Sequence, residues 1–133
     1  MNKKTFGIDI GSAYLKAVAL SRDFKGRPNV TAAAVIELAA AGGPEQALRT
    51  LFSDRRFQGG KSVFSIPAGS CSFRNLTLPF SDERSIDDII TYELEPHIPD
   101  PIETVRVAAL PPRSIAGTTA VLAAAARKED LER

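Results

Sequence analysis

Asp9, Gly11 and Lys16 are the residues whose types and spacing suggest chemistry. They lie in FGIDIGSAYLK, residues 6–16. Phe6, Ile8 and Ile10 alternate with Gly7, Asp9 and Gly11, which predicts a strand with one apolar face and one small or acidic face. Gly11-Ser12-Ala13 is a turn, and YLKAVAL (14–20) reads as a return strand beside the first. The turn's backbone N–H groups can converge on an anion, and Gly11 lets the backbone approach it closely. Asp9 can hold a hydrated Mg²⁺ through water, and Lys16 can offset phosphate charge. The competing reading is an ordinary β-hairpin whose Asp9 and Lys16 face water.

The rest of the chain must position these residues. With 133 residues, 44% hydrophobic and 25% charged, it suits one compact globular domain with a modest core. Net charge is +1, which gives no nucleic-acid footprint. Cys71 is the only cysteine, so no internal disulfide forms and a reduced thiol is expected. Residues 32–36 and 120–126 are the longest apolar stretches, far short of a membrane span, and the basic start is not followed by a signal-peptide core. The expectation is a soluble, cytoplasmic chain that reaches a membrane only through a partner and does not insert into it.

Residues 21–29 form a polar turn and VTAAAVIEL (30–38) a third strand, completing a meander. Residues 39–43 are a small-residue loop. Pro44 suits a first helical position, and Ala47, Leu48, Leu51 and Phe52 make one apolar face of a helix spanning 44–58, ended by Gly59-Gly60. Arg55-Arg56 stand near that end, where the helix dipole favours cations. The helix covers the meander. KSVFSIP (61–67) is a fourth strand that buries Val63, Phe64 and Ile66, and residues 68–70 are a break.

Residues 71–79 alternate without a clean apolar face, which predicts a strand exposed on one side or lying at an edge. Arg74 on it pairs with an acidic neighbour or contacts a partner. SDERSIDDIITYELE (81–95) is the best helix, capped by Ser81 or, one turn later, by Ser85. Ile86, Ile89, Ile90, Glu93, Leu94 and His97 lie along one stripe. Pro96 ends the helix, and residues 96–101, with Pro99 and Pro101, form a stiff extended segment. Residues 103–110 and 118–126 are two strands of an antiparallel hairpin with a long loop. Residues 127–133 begin a helix without an apolar face, which suggests that the chain is a fragment cut there. Glu93 and Glu95 read as solvated charges, or Glu93 as an acceptor for the proline-rich segment. His97 has no second histidine or nearby cysteine to make a metal site, and no catalytic residue is assigned.

GIDIGSAYLKAVAL resembles the first phosphate motif of the actin-like ATPase superfamily. FRNLTLP followed by TYELEPHIPDPIETV, and then VLAAAARKEDLER, narrow the likeness. Together these segments resemble the PilM family of type IV pilus assembly proteins, whose members also serve as the actin-like component beside, or fused into, the L component of some type II secretion systems. The resemblance implies an α/β (α+β) fold: the first lobe of an actin-like, ribonuclease-H-like protein with an FtsA-like insert. Residues 1–67 would start the large subdomain. Residues 70–126 would be mostly the inserted strand-helix-strand-strand subdomain. Residues 127–133 would open the next helix.

It also implies ATP with Mg²⁺ in a cleft, held by Asp9, Gly11, Ser12, Ala13, Tyr14 and Lys16, with Asp9 acting on the metal through water. The partner it implies is the cytoplasmic tail of a PilN-like membrane protein, which would bring the chain to the inner membrane. Ala13-Tyr14 departs from the small hydroxyl residues usual in that turn. The departure removes a phosphate donor and puts a ring where phosphates need room. The implied function is a scaffold, with nucleotide as a switch. The alternative is an ATPase or small-molecule kinase of the same superfamily whose catalytic half is not in this chain. Residues 32–43 are almost wholly small and apolar where a sugar kinase would present polar substrate contacts, which favours the scaffold. An incomplete fold would expose apolar surface, so a homodimer of this chain is a further expectation.

Overall fold

A computed structural model describes residues 4–79, 83–110 and 112–132. The chain divides into two compact units, Met1–Pro67 and Ala68–Arg133. Each unit is a four-stranded sheet covered on one face by helix.

In the first unit, β1 (Lys4–Ile10), β2 (Tyr14–Arg22) and β3 (Pro28–Glu37) form the antiparallel meander. β4 (Gly60–Phe64) then returns parallel to β1, giving the order β3-β2-β1-β4. Alternation sorts the faces as expected. Phe6, Ile8, Leu15, Ala17, Ala19 and Ala32 are buried on the inner face against Ala47, Leu51 and Phe57. The Phe6 and Phe57 rings pack with centroids 5.9 Å apart at 55°, a tilted arrangement favourable for aromatic pairs.

Between β3 and β4 the structure corrects two expectations. Residues 39–43 are not simply a loop: α1 (Leu38–Ala41) forms there and closes on Gly42 at φ 88°, a left-handed position suited to glycine. The expected helix over 44–58 is shorter. α2 (Pro44–Ser53) stops because Asp54 turns extended (φ −78°, ψ 121°) and its carboxylate accepts the Arg56 N–H at 2.9 Å. Arg55 and Arg56 therefore belong to a separate 3-10 turn, Arg55–Phe57, rather than to the end of α2. This break turns Phe57 into the core.

Burial of Val63, Phe64 and Ile66 is not observed. They are 53%, 47% and 44% exposed. β4 pairs only with β1 among the described strands, and Val63 stands opposite Gly7 on the face away from α2.

In the second unit, a 3-10 turn at Ala68–Ser70 leads into β5 (Cys71–Leu78), and α3 (Glu83–Leu94) follows. β6 (Val105–Ala109), β7 (Arg113–Ile115) and β8 (Thr118–Arg127) complete the sheet, and α4 (Lys128–Leu131) comes after it. The order is β5-β8-β6, with β7 also on β8, so β5 is an edge strand as its mixed pattern suggests. Ile86, Ile90 and Leu94 of α3 are buried on Leu76, Leu78, Val105, Val121, Ala123 and Ala125, while Glu93 and His97 of the expected stripe are exposed. The Ser81 cap lies outside the described residues, and Ser85 stands inside α3 rather than capping it.

The proline-rich segment is not extended from its start: Glu95–His97 is a 3-10 turn. A second such turn, Ile102–Thr104, replaces the expected beginning of β6. Part of the expected long loop is β7, joined to β8 through Ala116 (φ 49°) and Gly117 (φ 80°).

Two positions give stability tests. A Cβ on Gly60 would lie 2.8 Å from both the Lys4 carbonyl oxygen and the Phe6 ring. Backbone cannot yield as a flexible side chain does, so Gly60→Ala is expected to destabilise by about 1–3 kcal/mol in urea unfolding. Unchanged stability would disprove that close packing. Thr119 is 1% exposed, and its Oγ1 has no hydrogen-bond partner among the described residues. Thr119→Val removes that cost and is expected to raise stability by about 1 kcal/mol in the same measurement.

Candidate functional site

The first unit gathers its chemistry at one end of the sheet. β1, β3 and β4 run the same way, so their C-terminal ends meet beside the Gly11–Ala13 turn. Carboxyl ends of strands are where open α/β sheets bind ligands.

Asp9 and Lys16 are direct cross-strand partners. The Lys16 ammonium lies 3.5 Å from Asp9 Oδ2, with about half of each side chain exposed (59% and 51%). The Ser65 hydroxyl donates to Asp9 Oδ1 at 2.6 Å. Sequence reading missed Ser65. It follows β4, where Phe64 stands level with Ile8, so the parallel register carries it to Asp9, and its N–H bonds the Ile8 carbonyl at 2.9 Å. Lys61–Pro67 was legible as a strand, and pairing it parallel to β1 would have found Ser65.

The Ser65 hydrogen bond and, after it, the Lys16 charge hold the Asp9 carboxyl below its ordinary value of 3.8.

The turn offers fewer donors than expected. The Gly11 N–H is already bonded to the Tyr14 carbonyl at 2.9 Å. The Ala13 carbonyl accepts the Leu38 N–H at 2.8 Å, which ties the turn to the start of α1. The Ser12 and Ala13 N–H groups make no hydrogen bond among the described residues and are the free donors. Gly11 serves the hairpin itself: a Cβ there would meet the Tyr14 carbonyl at 3.3 Å. Tyr14, 46% exposed, precedes Lys16 by two residues and so shares its face of the strand.

Below Asp9, Lys16 and Ser65 the uncovered sheet face forms a depression of about 550 Å³, floored by Gly7, Val18, Ala33, Val35 and Val63. The residues present fit half of a phosphate–cation site: one ionised carboxylate, one ammonium and two free N–H groups. No cluster of three or more His, Cys, Asp or Glu is arranged to hold a metal directly among the described residues.

In the second unit Arg74 is exposed, has no ion pair among the described residues and donates to carbonyl oxygens instead. Its Nε donates to the His97 carbonyl at 2.8 Å and its Nη1 to the Phe73 carbonyl at 2.7 Å. It thus fixes the 3-10 turn after α3 onto β5, the anchoring role considered for Glu93. Cys71 is a free, half-buried thiol.

No family model and no curated protein matches the sequence. Solved structures do. The PilM-PilN type IV pilus biogenesis complex matches with a TM-score of 0.72 at 23% identity, covering 96% of this chain and 41% of that one. The cytoplasmic domain of EpsL, an inner membrane component of the type II secretion system of Vibrio cholerae, matches with a TM-score of 0.65 at 14% identity. That match covers 98% of this chain and 50% of that one. This chain thus spans half or less of the length of the proteins it resembles. At these identities the likeness shows the fold: the mixed α/β class expected of an actin-like first lobe is the class observed. Among the described residues no helix is long and apolar enough to cross a membrane.

Because the folded Asp9 pKa is depressed, its contribution to stability is present above the unfolded value and lost as pH falls through the folded one. A carboxyl-carbon NMR titration is expected to show Asp9 titrating below 3.8. Ser65→Ala should move it up, and by more than Lys16→Met does. A larger effect of Lys16→Met would reverse the assigned order of causes.

Proposed function

We propose that this chain is the first part of an actin-like scaffold of a type IV pilus or type II secretion machine. It works on the cytoplasmic side of the inner membrane and docks the cytoplasmic tail of a PilN-type membrane protein. The observation that carries this reading is the shared fold over 96% and 98% of the chain with proteins of those two machines. The membrane partner is suggested by the complex in which one of them was solved.

The site supports nucleotide as a switch rather than a substrate turned over. ATP phosphates would meet the Ser12 and Ala13 N–H groups and Lys16, with Mg²⁺ held by Asp9 through water. Tyr14 would border the phosphates on the same face. A carboxylate whose pKa is held below the ordinary value is a weak general base, and Ser65 already occupies one of its oxygens.

The test is isothermal titration of the full-length protein with ATP·Mg²⁺, beside Asp9→Ala, together with binding of a PilN-type cytoplasmic peptide with and without nucleotide. Saturable ATP binding that Asp9→Ala weakens at least about tenfold is expected, and peptide affinity should differ between the two nucleotide states. ATP binding indifferent to Asp9→Ala would remove the phosphate site from the Gly11 turn. Absence of peptide binding in both states would remove the docking role.

A further inference from the structure

The second unit has two unlike faces. α3 covers the inner face of its sheet and carries the exposed carboxylates Asp87, Asp88 and Glu93, followed by Glu95. The outer face is set by the ladder register. Cys71, Phe73, Asn75 and Thr77 of β5 stand level with Ala126, Ala124, Leu122 and Ala120 of β8. Arg106 and Ala108 of β6 continue the first two rows, and Arg113 of β7 continues the last. No acidic residue occurs at these positions. Neither Arg106 nor Arg113 has an ion pair among the described residues, and both are exposed.

Between the two arginines the face is open and mostly apolar, with Asn75 its polar member. Phe73 is 45% exposed and Leu110 60%. Leu110, held by its N–H on the Leu122 carbonyl at 3.0 Å, lines a groove of about 600 Å³ with Leu122, Asn75, Pro112 and Arg113. The β8 partners of Arg106 and Arg113 are Ala126 and Ala120, six residues apart, so the two arginines stand about 20 Å apart along the strand.

We infer that this outer sheet face docks a segment of another protein that carries two carboxylates about 20 Å apart on either side of apolar side chains. Charge complementarity selects that occupant. Two exposed arginines with no ion pair among the described residues, at opposite ends of the strip, attract a segment with matching carboxylates and repel a basic one. The carboxylates on the α3 side draw basic segments to the other layer. Guanidinium forks suit carboxylates in two-point contact, and the exposed Phe73 and Leu110 supply the apolar area between them. This surface shares no residue with the Asp9 site, and the inference does not depend on the proposed nucleotide role.

The probe is a fluorescein-labelled extended peptide, ETLTLTE, in which the end glutamates and the two leucines share one face and the glutamates stand six residues apart. KTLTLTK is its charge-reversed control. Fluorescence anisotropy with the full chain is expected to show saturable, salt-sensitive binding of ETLTLTE and none of KTLTLTK. Arg106→Glu with Arg113→Glu should weaken ETLTLTE binding at least about tenfold and admit KTLTLTK. Both arginines are exposed, so the double variant should keep the parent thermal melt; if it does not, Arg106→Gln and Arg113→Gln singly carry the test.

Asp9→Ala should leave peptide binding intact, which separates this outcome from that of the nucleotide site. Equal binding of the two peptides would overturn the inference, as would unchanged affinity in the arginine variants or no ETLTLTE binding up to about 1 mM. Concentration-dependent dimers in sedimentation, lost on Arg113→Glu, would also overturn it by assigning the face to a second copy of this chain.

Discussion

The parallel pairing of β1 with β4 is the constraint on which the first unit depends. Antiparallel neighbours such as β1, β2 and β3 need only tight turns, but a parallel neighbour must enter from the far end of the sheet. The chain meets this demand with α1, α2 and the 3-10 turn at Arg55–Phe57, which carry it back along one sheet face. Those elements supply Leu38, Ala47, Leu51 and Phe57 to the core. They cover the inner face only, so the same crossover that builds the core leaves the outer face, with Val18, Val35 and Val63, open among the described residues. At the entry to β4 there is no room for a side chain, because Gly60 packs directly on the Lys4 carbonyl and the Phe6 ring. At the exit the register delivers Ser65 to Asp9 across 56 residues of sequence.

This division explains what was legible in the chain. Features governed by local period were readable. The alternation of Phe6, Ile8 and Ile10 marked the inner face of β1. The spacing of Ala47, Leu48 and Leu51 marked α2, and the lack of a clean apolar face in residues 71–79 marked a strand exposed on one side or at an edge, and β5 lies at an edge. Features governed by pairing between distant segments were not. Ser65 carries no motif, and only the β1–β4 register gives it meaning. The exposure of Val63 and Phe64 has the same origin: apolar β-branched and aromatic residues indicate a strand but not how many of its faces are covered. Local chemistry that competes with period was missed as well. Asp54 binds Arg56 and ends α2 early, although Arg55, Arg56 and Phe57 could continue a helix by propensity alone. β7 is only three residues long, too short to show alternation.

The candidate site was legible in part, and the part that was not changes its chemistry. Asp9, Lys16 and the turn could be read from residues 6–16. The turn's donors could not, because hairpin closure engages the Gly11 N–H with the Tyr14 carbonyl. A glycine chosen to present its N–H to a ligand and a glycine chosen to close a hairpin look alike in sequence.

The two contacts of Asp9 are unequal, and the inequality bears on what the site can do. The Ser65 hydroxyl sits at 2.6 Å, a short charge-assisted hydrogen bond, and it is the first cause of the depressed pKa. Lys16 is 3.5 Å away with both side chains about half exposed, a geometry in which ion pairs are weak and screened by salt. Ser65 therefore sets the orientation of the carboxylate, and Lys16 is free to leave it at little cost. A group in that position can turn toward an incoming anion while Asp9 stays ionised and in place. Had the strengths been reversed, an anion would have had to break the main restraint on Asp9 to recruit Lys16. The arrangement observed separates the two tasks: a serine brought by the long-range pairing holds the carboxylate, and a lysine brought by the hairpin remains available.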